Sequence, residues 1–394
     1  MRAPSLNNPY VLLAGFLSPW KEKGAITALR DQIDQGRMDW GALLMMANLH
    51  LCTPIWYVRL QQDGLLDRLP ADLAEYLDTM YQLNLERNQA IILELKEFLV
   101  RCEQEKIPVL PLKGAATFCD GLYQDNGARM MEDIDLLIKK EDSGKCLDIL
   151  TACGYEELHN PGIEFDGLPT DSRHQHLQPY HKPGTGIKCE LHYRLAYAQA
   201  GSALSAESVW ASSLQTVLEG IPARIPDPTS RLIHNAVHAL VPDCEFIRPA
   251  ISLRQLTEFS CLAKKYASVL SWRGWQEAGV ASGLQIEMST YLALANRLQG
   301  VPWPAGMASS LRSSFHAARI SAAGSLYLPE SKTRTIPKKL KMVVMKIMLK
   351  MYYFLNLPSW VWHNVCYTDQ GGLTMPRVWF LIKKMLTARS RAKI

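Results

Sequence analysis

The 394-residue sequence lacks the features that would place it in a membrane, secreted or zinc-binding class. It contains no uninterrupted apolar run of about 18 residues, so no membrane-spanning helix is expected. The first residues, Met1–Asn8, lack a long apolar stretch with a cleavage site, so no secretory signal is expected. The nine cysteines include no Cys-x-x-Cys pair. We therefore predict buried, reduced thiols in a cytoplasmic protein without a structural zinc site.

Charge is distributed unevenly along the chain, although the formal net charge is only +5. Residues 331–394 contain 13 Lys or Arg and one acid, whereas residues 1–330 contain 30 basic and 37 acidic side chains. A basic segment mixed with apolar and aromatic residues can lie on an anionic membrane surface, bind nucleic acid, or pack as a terminal helix with its lysines outward. Residues 338–394 are therefore a candidate peripheral contact with the inner membrane face, and nucleic acid is the less favoured partner.

Hydrophobic periodicity divides the chain into four regions. Apolar residues recur at helical spacing in an N-terminal region, 1–105, and again in a C-terminal helical domain, 201–330. Between them, residues 106–200 form a core of short apolar runs that alternate with turns and helices. Residues 331–394 form a basic, apolar helical tail. The predicted fold class is α+β with an α/β core, in which a small mixed β-sheet is flanked by helical regions on both sides in sequence.

Individual elements are predicted from the same patterns. The predicted strands are Ile107–Leu112, Asp133–Ile138, Tyr155–Leu158, His176–His181 and Ile187–Leu195. The predicted core helices are Ala115–Tyr123 and Asp142–Cys153, with Gly154 as a residue that ends the second helix. Outside the core, the clearest predicted helices are Trp40–His50, Leu83–Cys102, Leu232–Leu240, Leu253–Tyr266 and Ile286–Leu298.

Two carboxylates open one of the predicted strands. Side chains alternate along a strand, so Asp133 and Asp135 point to the same face. Such a pair repels itself unless a cation lies between the carboxylates, and Mg²⁺ prefers oxygen ligands. Glu190, in a later strand, is predicted to add a third carboxylate as a metal ligand or as a base toward the acceptor. The alternative is a solvated strand end, which the buried apolar residues after the pair disfavour.

Cationic residues precede this strand. Lys113 and Gly114 lie between a predicted strand and a predicted helix, where glycine lets the backbone approach a phosphate and the helix N-terminus favours anions. Arg129 could hold phosphate oxygens through two hydrogen bonds. We predict that these three residues bind the nucleotide. For Arg129 the alternative is an ion pair with Asp125 or Glu132.

Several histidines fall near the third carboxylate, at positions 174, 176, 181 and 192. Their spacing matches no zinc pattern. His176 and His192 are therefore predicted to line an acceptor pocket, with a half-buried, hydrogen-bonded histidine as the structural alternative. Farther along, His238, Arg254 and Glu258 stand out on apolar helices. Structural pairing is favoured for these three over contact with a nucleotide base or an acceptor.

A set of short motifs carries a family resemblance. The set consists of Leu112–Gly114, Tyr123, Arg129, Asp133–Leu137, Gly154–Tyr155 and Glu190–His192. It resembles the pattern of the uncharacterised nucleotidyltransferase family of the polymerase-β-like superfamily, loosely over residues 35–260. The resemblance implies a mixed sheet with Mg²⁺ or Mn²⁺ bound by Asp133 and Asp135, and with Glu190 at the third acidic position. Lys113-Gly114 departs from the Gly-Ser or Gly-Gly usual in the superfamily, so the phosphate contacts are expected to differ.

The residues and the resemblance together predict an Mg²⁺-dependent nucleotidyltransferase. Such an enzyme moves a nucleoside monophosphate from an NTP to an acceptor, here a small molecule, glycan or protein, and releases pyrophosphate. Two alternatives use the same fold. One is a non-catalytic nucleotide-binding or scaffold protein, which the lysine in the phosphate loop suggests. The other is a γ-phosphotransferase, for which the same metal chemistry would serve.

Overall fold

The computed structural model describes residues 8–158, 175–196, 198–241 and 251–324. All of them belong to one unit, Met1–Lys332. No helix among these residues is both long and apolar enough to cross a membrane. The basic tail, residues 331–394, lies outside the described residues, as does His174. The membrane contact predicted for residues 338–394 therefore remains a prediction.

Five helices fill the described part of the N-terminal region. They are α1 (Pro9–Leu17), α2 (Lys23–Asp34), α3 (Trp40–Leu49), α4 (Thr53–Gln62) and α5 (Ala71–Gln104). Side-chain caps define two of their starts, because Asn8 accepts from the Val11 N–H and Asp39 accepts from the Ala42 N–H. The 34-residue α5 is longer than the predicted helix Leu83–Cys102, and its apolar face packs into the same core as the sheet.

A five-stranded mixed sheet confirms the predicted fold class. Its strands are β1 (Val109–Pro111), β2 (Asp133–Ile138), β3 (Glu156–Glu157), β4 (Tyr180–His181) and β5 (Lys188–His192). The order across the sheet is β1-β2-β5-β4-β3. β2 and β5 run parallel, whereas the other neighbouring pairs are antiparallel. β2 has the predicted bounds, and its residues from Ile134 onward are buried.

The remaining core elements differ from the prediction at their ends. Only Tyr180–His181 of the predicted strand His176–His181 is a strand, and His176 makes an isolated bridge to His192. Two helices, α6 (Lys113–Asp120) and α7 (Ser143–Ala152), follow β1 and β2. α6 ends before the predicted Tyr123, because Gly121 has a φ of +58° and the left-handed conformation stops the helix there.

A two-stranded hairpin, β6 (Leu214–Leu218) and β7 (Ile221–Ile225), interrupts the region predicted to be helical. The prediction of a helical domain over residues 201–330 was wrong here. The turn consists of Glu219 and Gly220, with φ values of +44° and +89°. Positive φ at both residues is the geometry of tight hairpin turns, so this Glu-Gly pair was the missed signal. Three hairpin side chains join the core of the sheet, namely Leu218, Ala223 and Ile225.

Six helices make up the rest of the described chain. They are α8 (Ala206–Ser212), α9 (Pro228–Leu240), α10 (Leu253–Lys265), α11 (Trp272–Ser282), α12 (Gln285–Gln299) and α13 (Leu311–Ala323). α9 begins at a proline after the capping residue Asp227, which accepts from the N–H groups of Thr229 and Ser230. The N-terminal helices contact this region directly, since the Ser18 hydroxyl donates to the Gln299 carbonyl at 2.6 Å.

Candidate active site

The parallel pairing of β2 with β5 brings the three predicted carboxylates together. Asp135 is the register partner of Glu190, and Asp133 lies two residues earlier on the same face of β2. All three side chains line a cavity of about 340 Å³. Glu190 therefore shares one pocket with two carboxylates that precede it by at least 55 residues in the sequence, as the prediction required.

Asp135 lies at the centre of the carboxylate cluster. It is only 2% exposed, and its Oδ1 atom accepts from Lys113 Nζ at 2.7 Å and from His192 Nε2 at 2.8 Å. Burial alone would raise the pKa of Asp135, but the Lys113 ammonium and the His192 hydrogen bond outweigh it and hold that pKa well below its ordinary value. Asp135 is therefore a fixed anion whose position is set by two donors.

Asp133 has the opposite electrostatic character. Burial, together with repulsion from Asp135, raises its pKa from 3.8 to about 6. Glu190 is half-buried between two histidines, with its Oε2 atom 3.5 Å from His192 Nε2 and 3.9 Å from His176 Nε2. Burial works to raise the pKa of Glu190, but the interaction with His192 lowers it overall. The positive charges of Lys113 and Arg129 therefore do not offset the effect of burial and of Asp135 on the pKa of Asp133.

The donor atoms present fit a hard divalent cation. Asp135, Glu190 and His192 each place one possible ligand atom within 4.8 Å of the others. His192 Nε2, however, points at an ionised Asp135 oxygen and so carries the hydrogen of that bond, while its Nδ1 has no partner among the described residues. The oxygen atoms of Asp135 and Glu190 are then the atoms of this group that suit Mg²⁺ or Mn²⁺. Asp133, predicted as a further ligand, lines the same cavity but does not belong to the group.

The two residues predicted to cradle phosphate differ in position. Lys113 lines the cavity and has a φ of +44°, which is uncommon for a residue with a side chain. Gly114 is buried next to it, and a Cβ atom there would lie 2.8 Å from Arg129 Cζ. The glycine is therefore needed to make room for the Arg129 guanidinium, a reason that the sequence did not reveal.

Arg129 lines the cavity, but neither of its predicted ion-pair partners holds it. Its Nε donates to Glu258 of α10 at 2.6 Å, and the two side chains are only 11% and 7% exposed. The ion pair considered as the alternative for Arg129 is therefore present, but its partner is Glu258 and not Asp125 or Glu132. Asp125 accepts from the Tyr81 hydroxyl. Burial raises the pKa of Glu258, but the Arg129 charge lowers it overall, so both groups stay ionised.

Helix α5 holds the loop that carries Arg129. The side-chain amide of Asn84 donates to the Gly127 carbonyl at 2.7 Å, and that of Asn88 donates to the Arg129 carbonyl at 2.8 Å. Arg87 adds a bond from its Nε to the Met131 carbonyl at 3.1 Å. Buried amides on an otherwise apolar helix face are the sequence signal that could have indicated this role.

The wall opposite the sheet comes from α9 and α10. Its α9 residues recur at helical spacing, at positions 231, 234, 235 and 238, and its α10 residues are at positions 254, 255 and 258. Arg231 is ion-paired with Asp120, His238 contacts Gln255 at 3.1 Å, and Arg254 donates to the Met130 carbonyl at 2.9 Å. His238, Arg254 and Glu258 thus have structural partners, as predicted, and they also line the cavity.

The family model of the uncharacterised nucleotidyltransferases matches residues 36–300. The chain belongs to this family. No curated protein matches the chain. A solution structure of the antibiotic-resistance factor ANT(2'')-Ia, described as revealing substrate-regulated conformation dynamics, is similar at 14% identity over 50% of this chain and 91% of that chain, with a TM-score of 0.34. At that TM-score the two folds correspond only loosely.

Family membership makes a transferase the expected class of activity. In this member of the nucleotidyltransferase family, the matched segment contains every described residue that lines the cavity. The hairpin and the helices α9 and α10, which the sequence motifs did not mark, therefore fall inside the family's own boundaries.

Proposed function

We propose that this protein is a divalent-metal-dependent nucleotidyltransferase that moves a nucleoside monophosphate from an NTP to an acceptor. Mg²⁺ is the proposed ion, with Mn²⁺ as a substitute. The observation that carries the proposal is the meeting of Asp133, Asp135 and Glu190 with Lys113 and Arg129 in one cavity. A volume of about 340 Å³ is within the range of small-molecule pockets.

In the proposed reaction, an oxygen or nitrogen of the acceptor forms a bond to the α-phosphorus of the NTP. The bond between that phosphorus and the oxygen bridging to the β-phosphate breaks, and pyrophosphate leaves with the electron pair. The proton of the acceptor passes to a carboxylate, for which Glu190 is the proposed residue. When bound, a divalent cation would neutralise charge on the phosphate oxygens and on the entering and leaving groups.

The protein's own residues supply position and charge. Asp135 is held by two donors and so needs no reorganisation when substrate binds. Lys113 and Arg129 are half-buried cations at the cavity wall, and both suit the anionic triphosphate. His176 and His192 border Glu190, so the proposed acceptor side of the cavity lies around that residue.

Substitution of the carboxylates tests this proposal. Asp133→Asn and Asp135→Asn should abolish pyrophosphate release from NTPs, while Asp31→Asn, on the exposed side of α2, should leave it unchanged. NTPs labelled at the α- or γ-phosphate identify the group transferred. Transfer of the γ-label would establish a phosphotransferase, binding without any transfer would favour a scaffold protein, and unchanged turnover in both site variants would contradict the assignment of the site.

A further inference from the structure

Resting on the proposed function, we infer that Lys113 takes the place of one of the two cations of a two-metal site, so that the protein binds a single divalent ion. The inference depends on one carboxylate oxygen. Two metal ions about 4 Å apart, as in polymerases and nucleases, are close enough for one carboxylate to place one oxygen on each ion. Among the three carboxylates here, Asp135 is the buried central one.

One oxygen of Asp135 is already fully engaged. Its Oδ1 atom accepts from Lys113 Nζ at 2.7 Å and from His192 Nε2 at 2.8 Å. A carboxylate oxygen has two lone-pair sites, and both are used by these donors. Only Oδ2 is left to bind an ion, so Asp135 cannot bridge two of them.

The structure holds both donors next to the Oδ1 atom of Asp135. His192 is completely buried in the central part of the sheet. Lys113 follows Leu112, whose N–H donates to the Asp135 carbonyl at 2.9 Å, and its backbone is held at a φ of +44°. A left-handed conformation is unfavourable for a residue with a side chain. The strain directs Lys113 at the carboxylate, and such outliers are concentrated at functional sites.

The charges agree with a single ion. The side chain of Lys113 is 20% exposed and lies among Asp135, Asp133 and Glu190. One ammonium and one divalent ion balance these three carboxylates without excess. The lysine would be a permanent cation beside Asp135, and the divalent ion would bind the carboxylate oxygens that Lys113 and His192 leave free.

Counting bound Mn²⁺ tests the inference. The probe is Mn²⁺ with inorganic tripolyphosphate, which supplies the phosphates of any NTP without a base. Calorimetry on the full chain should give one Mn²⁺ per protein, with the electron paramagnetic resonance spectrum of an isolated ion. Lys113→Met should bind a second Mn²⁺ that is spin-coupled to the first, while Lys113→Arg and the surface control Lys96→Met should each bind one.

A spin-coupled pair of Mn²⁺ ions in the unaltered protein would overturn the inference of a single ion but would leave the proposed function intact. This measurement does not depend on any variant being folded. One ion in both the unaltered protein and a folded Lys113→Met variant would overturn the role given to Lys113. No bound Mn²⁺ at all would contradict the proposed function itself, and with it this inference. Circular dichroism and thermal melting show whether the variants are folded.

Discussion

Arg129 and Glu258 lie 129 residues apart in sequence, yet the Arg129 Nε donates to a Glu258 carboxylate oxygen at 2.6 Å. The bond joins the loop before β2 to helix α10. A cation proposed to contact the triphosphate is therefore positioned by a carboxylate from the C-terminal helices. The candidate site is incomplete without those helices.

Loss of the Glu258 charge should be strongly destabilising. Glu258→Gln leaves a buried guanidinium without its counter-ion, and breaking a buried pair in this way costs about 3–5 kcal/mol. The free energy of unfolding in urea measures the loss. The matched control is Glu277→Gln, which removes an exposed partner of Arg273 and should change stability by less than about 1 kcal/mol. Equal changes in the free energy of unfolding for the two substitutions would show that the Arg129–Glu258 pair stabilises the protein no more than an exposed ion pair does.

A methyl group at position 114 should displace Arg129. In Gly114→Ala the new Cβ lies 2.8 Å from Arg129 Cζ, and the Glu258 bond keeps the guanidinium from moving aside. We expect a loss of about 1–3 kcal/mol in the free energy of unfolding and a higher KM for NTP.

The control for this overpacking is Gly144→Ala, at the start of α7. A Cβ there meets no atom within 4 Å. Replacing a helical glycine by alanine should raise stability by about 0.5–1 kcal/mol. A stable, fully active Gly114→Ala variant would contradict the packing reason for that glycine.

The raised pKa of Asp133 predicts a pH-dependent stability difference. With a pKa of about 6 in the folded protein and 3.8 ordinarily, the folded state binds this proton more tightly, so Asp133 lowers stability as pH rises between those values. In the absence of divalent ions, Asp133→Asn should match the unaltered protein near pH 4 and exceed it above pH 6, by up to about 3 kcal/mol.

With Mg²⁺ present, the unaltered protein should be more stable than Asp133→Asn above pH 6, because the ion stabilises the folded protein mainly when Asp133 is present. Melting temperatures at pH 4 and pH 7, with and without Mg²⁺, measure both effects. A difference between the two proteins that does not vary with pH would show that Asp133 has an ordinary pKa.

His192 should affect the metal site through Asp135. His192→Gln can still present a donor to Asp135, whereas His192→Leu cannot. We expect His192→Leu to weaken Mn²⁺ binding by about 10–100-fold, the usual effect of removing a group that orients a metal ligand, and His192→Gln to weaken it less. Calorimetry gives both affinities. Equal Mn²⁺ affinities of the two variants would show that His192 does not position Asp135 for metal binding.

The basic tail is predicted to bind anionic membrane. The full chain should sediment with vesicles that contain phosphatidylserine and do so less at high salt, because the attraction is electrostatic. A chain ending at Glu330 should remain in the supernatant, as should the full chain with neutral vesicles. Equal sedimentation of the two chains would contradict the prediction.

The local parts of the site were accessible from the sequence. Alternation along one strand places Asp133 and Asp135 on one face, and the mixed sheet follows from short apolar runs between turns. The strand Asp133–Ile138 was predicted with its observed bounds. The hairpin was not predicted. Its two strands have only five residues each, and its only turn signal is the pair Glu219-Gly220.

By itself, then, the sequence determined the strand with its paired acids and the helical regions around it, because these depend on neighbours a few residues away. Only the tertiary structure decided which donors share the Asp135 oxygen, that Glu258 holds Arg129, and that α9 lines the cavity. Those contacts join residues up to 129 positions apart in sequence. Periodicity does not encode which distant side chains meet; the packing of the whole core selects them.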